Sequence, residues 1–450
     1  MTKIQVPRDV QNMIEQLENK GYTAYIVGGC VRDAIMGKLP HDYDICTSAT
    51  PDEMKDVFKK YDVIETGLKH GTLTVKGEDD FYEITTYRID TEYKDNRHPD
   101  KVIFVDDIEK DLARRDFTIN AMAYNKKTGL IDPFGGEKDI KNRIIKCVGN
   151  PDKRFNEDGL RIMRAIRFAS VCKFNIDKDT ENSIHKNKNL LNNISQERIT
   201  SEFCKMLTTA DFNLLNNYKD IVGEIIPEMK QTFNFEQYNH HHLYNVYEHI
   251  IHSVDNAPQD LIIRLSLFFH DIGKPSCFSL DGNGVGHFYG HSKVSEEITE
   301  KVMREMKFDN KSIKTVCELV GNHDIIPTDS KKFVRKILNK LGKEQTERLL
   351  TVEECDKKAQ TVNKDSLETF RIITNVREKI NEVIEEENCF SLKDLAINGN
   401  DLKNIGIKEG KEIGIILNSL LENVLENPEN NSREKLLKIA ENLKEKIEER

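Results

Sequence analysis

Two aspartates set one residue apart, Asp42 and Asp44, follow a glycine pair, Gly28 and Gly29, by thirteen residues. On a β-strand alternate side chains share a face, so Asp42 and Asp44 would turn both carboxylates toward one ligand. Such a pair suits Mg²⁺, and beside a bound triphosphate it suits a metal pair supporting in-line attack at phosphorus. In Ile26-Val-Gly-Gly-Cys-Val-Arg-Asp a β-rich run stops at the glycines, which let backbone approach a ligand closely, and the following helix offers N–H groups to a phosphate. Arg32, one turn into that helix, could add charge-assisted hydrogen bonds. Singly, Gly-Gly reads as an ordinary strand–turn–helix and D-x-D as a solvated turn; their succession points to phosphate chemistry. Glu83, in Tyr82-Glu-Ile-Thr-Thr-Tyr-Arg, reads equally as a third carboxylate from a neighbouring strand and as an exposed strand residue.

Basic residues supply counter-charge. Arg114 and Arg115 precede Asp116, and between Arg143 and Arg167 seven Lys/Arg stand against three Asp/Glu, a local net of +4 in an acidic chain. Asp158, Arg161 and Arg164 recur at helical spacing, with Arg167 continuing the stripe, which predicts one shared helical face. A salt-bridged solvated helix is the ordinary reading of that spacing; the phosphate-type segment upstream favours a ligand-facing stripe. Histidines form a second cluster. His240, His241, His242, His249 and His252 crowd one segment, an apolar helix ends in His270-Asp271, and His291, His323 and Asp356 follow. Imidazoles combined with aspartates suit a mono- or dinuclear metal site that polarises a phosphoester and activates water.

These residues need elements to hold them. Residues 1–145 alternate helical and strand-like runs, including a helix near Val10–Lys20 and strands at Asp42–Cys46, Gly71–Val75, Phe81–Arg88 and Val102–Val105. From about Asn156 the period is helical, so the expected fold is α+β: a head with a mixed sheet, then a largely all-α remainder. At 450 residues the chain exceeds one hydrophobic core. With 32% charged residues, no long apolar run and no apolar leader, membrane insertion and export are not expected. Nine scattered cysteines, none in a C-x-x-C pair, argue against a disulfide scaffold or thiolate zinc site and fit a reducing cytoplasm. A net charge of -10 disfavours broad nucleic-acid binding, so any RNA contact must be local and no DNA is expected.

The head resembles the class II tRNA nucleotidyltransferases, the superfamily of CCA-adding enzymes and bacterial poly(A) polymerases. The resemblance rests on V-G-G-C-V-R-D at 27–33, D-Y-D at 42–44, R-R-D-F-T-I-N-A-M-A at 114–123, D-P-F-G-G at 132–136 and E-D-G-L-R-I-M-R-A-I-R-F at 157–168, in family order. It implies a polymerase-beta-like head at 1–145 and a helical neck at 146–230 that reads the base and binds RNA. It implies that Asp42 and Asp44 hold two Mg²⁺ ions, and that Gly28, Gly29, Arg32 and Arg115 cradle phosphates. Asp158 and Arg161 would read the base, supported by Arg164 and Arg167, since a carboxylate acceptor and a guanidinium donor together match the Watson–Crick edge of C or A. Substrates would be the tRNA 3′ end, CTP and ATP. Tyr93–Pro99 resembles the family's flexible loop, associated with A addition.

The order His249, His270, Asp271, Asp356 resembles the HD phosphohydrolase superfamily, implying an HD-type domain at 231–360 with a divalent metal of unspecified identity; His291 and His323 would enlarge its site and His242 rivals His249 as first ligand. Residues 361–450 would form a helical body and tail, with Asp394–Ile407 resembling the body of HD-bearing members and touching RNA. The leading expectation is addition of C and A to tRNA. An A-adding enzyme or poly(A) polymerase, or metal-dependent phosphoester hydrolysis as the main activity, are the rivals. A non-catalytic nucleotide sensor is disfavoured because paired carboxylates without a metal are costly.

Overall fold

The structure, a computed structural model, describes residues 4–78, 80–90, 102–208, 211–238, 243–360, 364–386, 391–408 and 410–448. The loop at 93–99 and His240 to His242 lie outside the described residues. The chain forms two compact units, Met1–Lys230 with Glu305–Lys307, and Gln231–Arg304 with Phe308–Arg450.

The first unit begins with α1 (Arg8–Asn19), whose Val10, Met13, Ile14 and Leu17 recur at helical spacing and are buried. β1 (Ala24–Val27) is buried along its whole length. There follow α2 (Gly29–Ile35), β2 (Asp44–Thr47), α3 (Pro51–Val57), β3 (Val63–Gly67), β4 (Thr72–Lys76), β5 (Phe81–Thr86), β6 (Arg88–Asp90), β7 (Val102–Phe104), α4 (Ile108–Ala113), β8 (Ala123–Asn125), β9 (Gly129–Ile131) and α5 (Gly136–Asn142). Seven strands make one sheet in the order β3-β4-β5-β2-β1-β8-β9. β2 and β5 run parallel, and the other pairings in this sheet are antiparallel. The mixed sheet expected of the head is therefore present.

Asp42 departs from expectation. β2 opens at Asp44, paired with Val27, and Asp42 lies in the exposed turn before it. The cause is on the partner strand: Gly28 turns the chain at φ 76° and Gly29 is already helical, so β1 has no residue left to pair with Asp42.

After β10 (Ile144–Ile145) come α6 (Pro151–Glu157), α7 (Arg161–Cys172), β11 (Asn175–Ile176), α8 (Lys178–Lys186), α9 (Gln196–Leu207) and α10 (Lys219–Ile225). Here the continuous stripe from Asp158 to Arg167 is corrected. Asp158 leaves the helix at φ -149°, and its Oδ1 accepts from the Leu160 N–H at 3.2 Å, so a new helix starts at Arg161. Gly159 serves this break, since a Cβ there would lie 2.9 Å from the Leu190 carbonyl oxygen.

The second unit holds α11 (Val246–Asp255), α12 (Leu261–Phe269), β12 (Ser279–Leu280), β13 (Gly286–His287), α13 (His291–Glu305), α14 (Asn310–Asn322), α15 (Lys331–Lys358), α16 (Lys364–Glu385), α17 (Gly399–Asn404), α18 (Lys411–Glu426) and α19 (Arg433–Glu448). α12 is buried from Ile263 to Phe269 and packs against α11, α14 and α15, as a helix apolar on all sides must. In the tail segment Leu395, Ile397, Leu402 and Ile407 join Ile416, Leu420 and Leu436 in a separate core.

Candidate functional site

In the head, the parallel register pairing Ile45 with Ile84 sets Glu83 beside Asp44. Burial raises the Asp44 carboxyl above its ordinary range; Arg115 pulls it down, and the charges of Glu83 and Asp42 push it up. The charges of Asp42 and Glu83 thus both act on Asp44, Asp42 from the segment before β2 and Glu83 from β5. Among the described residues none of the three carboxylates has a salt bridge. An acidic group of hard oxygen donors not tied up in direct ion pairs fits Mg²⁺.

Arg115 fills the space behind the glycines. Gly28 is favoured by its positive φ, and a Cβ there, 2.9 Å from Arg115 Nη1, would also make that guanidinium shift. Arg115 is held by Asp111, 3.4 Å from Nη2, and Asp111 also pairs with Arg114 at 2.9 Å. Asp111 is fully buried, and although burial favours its neutral form, Arg114 and Arg115 hold its carboxyl below the usual range. Arg32 donates to Asn120 Oδ1 at 2.8 Å, and Asn120 Nδ2 donates to Asp116 Oδ1 at 3.2 Å. The other Asp116 oxygen accepts from Arg164 Nε at 2.9 Å and Nη2 at 2.5 Å. Arg167 Nε lies 2.6 Å from Glu202.

Asp158 and Arg161, the pair expected to read the base, have other partners. Asp158 accepts from both Nη atoms of Arg198, at 3.2 and 2.8 Å. Arg161 donates to Glu157 at 2.8 Å and to the Arg154 and Arg114 carbonyls at 3.2 and 3.0 Å, which ties the neck to the end of α4. The D-P-F-G-G segment is a turn: Asp132 accepts from the Gly136 and Glu137 N–H groups at 2.7 and 2.9 Å.

In the second unit all six described histidine and aspartate candidates meet. Two groups form, His249–His270–Asp271 and Asp271–His291–His323, each with ligand atoms within 4.8 Å of one another, and Asp271 belongs to both. Its Oδ2 lies 3.2 Å from His270 Nε2 and its Oδ1 3.3 Å from His291 Nε2. Asp356 closes the first group, 2.7 Å from His249 Nε2. Each of three imidazoles turns Nδ1 to the carbonyl three residues earlier: His270 to Leu267 at 2.6 Å, His291 to Phe288 at 2.9 Å and His323 to Val320 at 2.6 Å. That bond places the proton on Nδ1 and aims Nε2 inward, the arrangement that metal-ligating histidines adopt. His291 and His323 Nε2 are 3.1 Å apart, His249 and His270 Nε2 3.3 Å. Two imidazole lone pairs repel at that distance unless a proton or cation stands between them, and His249, His270, Asp271, His291 and His323 together form a nitrogen and oxygen donor set that could hold a divalent metal. The cluster opens on a cavity of about 550 Å³ whose lining includes Lys274 and Glu353.

Comparison with known proteins covers both units. The Poly A polymerase head domain family matches residues 24–146, the family described as the probable RNA and SrmB-binding site of polymerase A matches 173–214, and the putative tRNA nucleotidyltransferase domain 2 matches 287–440. Over 444 residues, 96% of each chain, the sequence is 34% identical to a CCA-adding enzyme of Lactobacillus helveticus (strain DPC 4571). The chain belongs to the CCA-adding enzyme family. A family member from Ligilactobacillus salivarius (strain UCC118) is 50% identical over 195 residues, 43% of this chain and about half (48%) of that one. The solved structure of Bacillus stearothermophilus CCA-adding enzyme in complex with CTP is similar at 28% identity and a TM-score of 0.73, covering 99% of this chain and 100% of that one.

Within this CCA-adding enzyme fold, sequence reasoning missed Asp111, Asn120, Arg198 and Glu202. Asp111 carried a signal, because it stands three and four residues before Arg114 and Arg115 on α4. Asn120 stands four residues after Asp116, to which it donates, whereas Arg198 and Glu202 reach Asp158 and Arg167 across elements. Glu353 was also missed. It lies three residues before Asp356 on α15, with an unpartnered buried Oε1, and burial together with the Asp356 charge drives its carboxyl well above the ordinary range.

Proposed function

We propose that this chain adds C and A to the 3′ end of tRNA from CTP and ATP, releasing pyrophosphate. The carrying observation is the full-length family likeness, with its sequence motifs converging in the first unit. Asp42, Asp44 and Glu83 would hold Mg²⁺, which when bound activates the RNA 3′-hydroxyl and neutralises phosphate charge. Gly28 admits the triphosphate close to the backbone, Arg115 and Arg32 face its charge, and Asp158 with Arg161 match the Watson–Crick edge of C or A. Asp158 now bonds Arg198 and Arg161 bonds Glu157, so reading a base exchanges these partners for the nucleotide. The test is extension of tRNA lacking its terminal CCA with Mg²⁺ and each labelled triphosphate. Addition of C then A supports the proposal, ATP-only addition indicates an A-adding enzyme, long A runs indicate a poly(A) polymerase, and failure with both CTP and ATP defeats it.

A second activity is favoured by the doubled histidine cluster sharing Asp271: hydrolysis of a phosphoester at an HD-type centre. His249, His270, Asp271 and Asp356, with His291 and His323, would hold divalent ions, which when bound polarise the ester and activate water. Metal-dependent hydrolysis of p-nitrophenyl phosphate that disappears in His270→Ala while tRNA extension persists is the expected result; no hydrolysis with Mg²⁺, Mn²⁺, Co²⁺ or Ni²⁺ would rule it out.

A further inference from the structure

Phe168 ends the arginine-bearing motif, and its ring is buried. Three guanidiniums surround it: the Cζ atoms of Arg32, Arg164 and Arg167 lie 5.2, 5.2 and 4.3 Å from the ring centroid. The ring is itself fixed edge-on by Phe117, centroids 5.8 Å apart at an interplanar angle of 77°. Two of the cations belong to α7, the helix carrying Arg161, and the third to α2, the helix that starts at the glycines. Each also has an anion on its outer side: Asp33 at 2.8 Å from Arg32, Asp116 at 2.5 Å from Arg164 and Glu202 at 2.6 Å from Arg167.

Three like charges gathered in this way repel one another. The carboxylates answer that repulsion from outside, and the ring answers it from inside, because the negative face of an aromatic quadrupole attracts a cation within about 6 Å. An aliphatic side chain of similar volume would fill the space without this attraction. We propose that Phe168 is a positioning residue for nucleotide binding: its ring holds the arginine of the phosphate-side helix and the two arginines of the base-side helix in one register, so that an incoming triphosphate meets a preset group of cations. The proposal rests on the transferase reading above and adds to it a residue that touches neither substrate.

The test replaces Phe168 in the full-length protein with 4-fluoro-, 3,5-difluoro- and 3,4,5-trifluorophenylalanine, which weaken the quadrupole stepwise with little change of shape. KM for CTP and ATP should climb along the series, reaching roughly tenfold at three fluorines, while KM for tRNA stays level and the melting temperature falls only slightly with the weakened ring–cation attraction. Phe168→Leu should match the trifluoro variant in nucleotide KM if it folds, and the fluorinated series decides if it does not. Nucleotide KM values flat across the series, or a parallel rise in KM for tRNA, would overturn the proposal. An unsubstituted protein that extends tRNA with neither nucleotide would instead overturn the transferase reading on which it depends.

Discussion

Replacing Asp116 by asparagine isolates the bond between the head and α7. Asp116 is 8% exposed. Burial would raise its carboxyl, but Arg164 and Arg161 outweigh that and hold it at about 2 against an ordinary 3.8. At 1.36 kcal/mol per pKa unit, the depression corresponds to roughly 2.5 kcal/mol of stability at neutral pH. Breaking a buried pair often costs about 3–5 kcal/mol because the surviving charge is stranded. Arg164 retains Glu202 at 3.9 Å and a side chain 32% exposed, so the lower figure applies. In a unit of this size, ~2.5 kcal/mol lowers the melting temperature by roughly 5–10 °C. The sign follows from the depressed pKa: the stabilisation is fully present above pH 3.8 and is lost as pH falls toward 2. Urea unfolding of Asp116→Asn, Arg164→Met and the double variant should therefore give a penalty constant from pH 7 to 5 and shrinking below 4, with the double variant less destabilised than the sum of the single ones. An Asp116→Asn penalty below about 0.5 kcal/mol at pH 7, or one unchanged at pH 3, would refute the reasoning.

Asp44→Asn should abolish nucleotide addition, by at least a factor of about 10³, with the urea midpoint unchanged; addition within tenfold of the parent would remove Asp44 from the metal site. Gly28→Ala must place a side chain at φ 76° and against Arg115 Nη1, so it should lose about 1–3 kcal/mol and raise KM for both triphosphates, read by denaturation and steady-state kinetics. Arg198→Ala frees Asp158 from a bidentate partner, and misincorporation of UTP and GTP on tRNA ending in CC should rise several-fold, measured by product sequencing. At the histidine cluster burial lowers the His270 imidazole, but Asp271 and Asp356 reverse this and hold it at about 10, so metal uptake must expel a proton. Mn²⁺ affinity should strengthen about tenfold per pH unit between 7 and 9, and calorimetry in two buffers should register proton release; a pH-independent affinity would count against it.

What was legible in the sequence was short-range. Gly28-Gly29, the Asp42/Asp44 pair and His270-Asp271 announce themselves because their spacing matches one turn or one strand, and the alternation of strands before about residue 145 foretold the mixed sheet. The errors were local as well. The Asp42 strand failed because its end is set by the partner, where Gly28 turns away and leaves only Val27 to pair with Asp44. The stripe from Asp158 failed because an aspartate before a glycine bonds its own backbone in preference to continuing a helix. The candidates His249, His291, His323 and Asp356 could be anticipated as an order of residues, but the membership of Asp271 in both groups needs several helices in place and has no linear trace.

Charge shows the same limit from the other side. A count of +4 between Arg143 and Arg167 suggests a free basic face that draws in a triphosphate. In the fold that surplus is largely taken up: Arg154 and Arg161 by Glu157, Arg164 by Asp116, and Arg167 by Glu202. Asp116 and Glu202 lie outside the counted window, so the window overstated the field. On the proposed reading a triphosphate would gain affinity here by exchanging partners with carboxylates that already hold the guanidiniums in place, and such exchange favours a ligand whose oxygens match those positions over one that merely carries charge. The arginine cluster is in this sense a template more than an attractor, consistent with an acidic protein that must select one RNA end and two nucleotides from many polyanions.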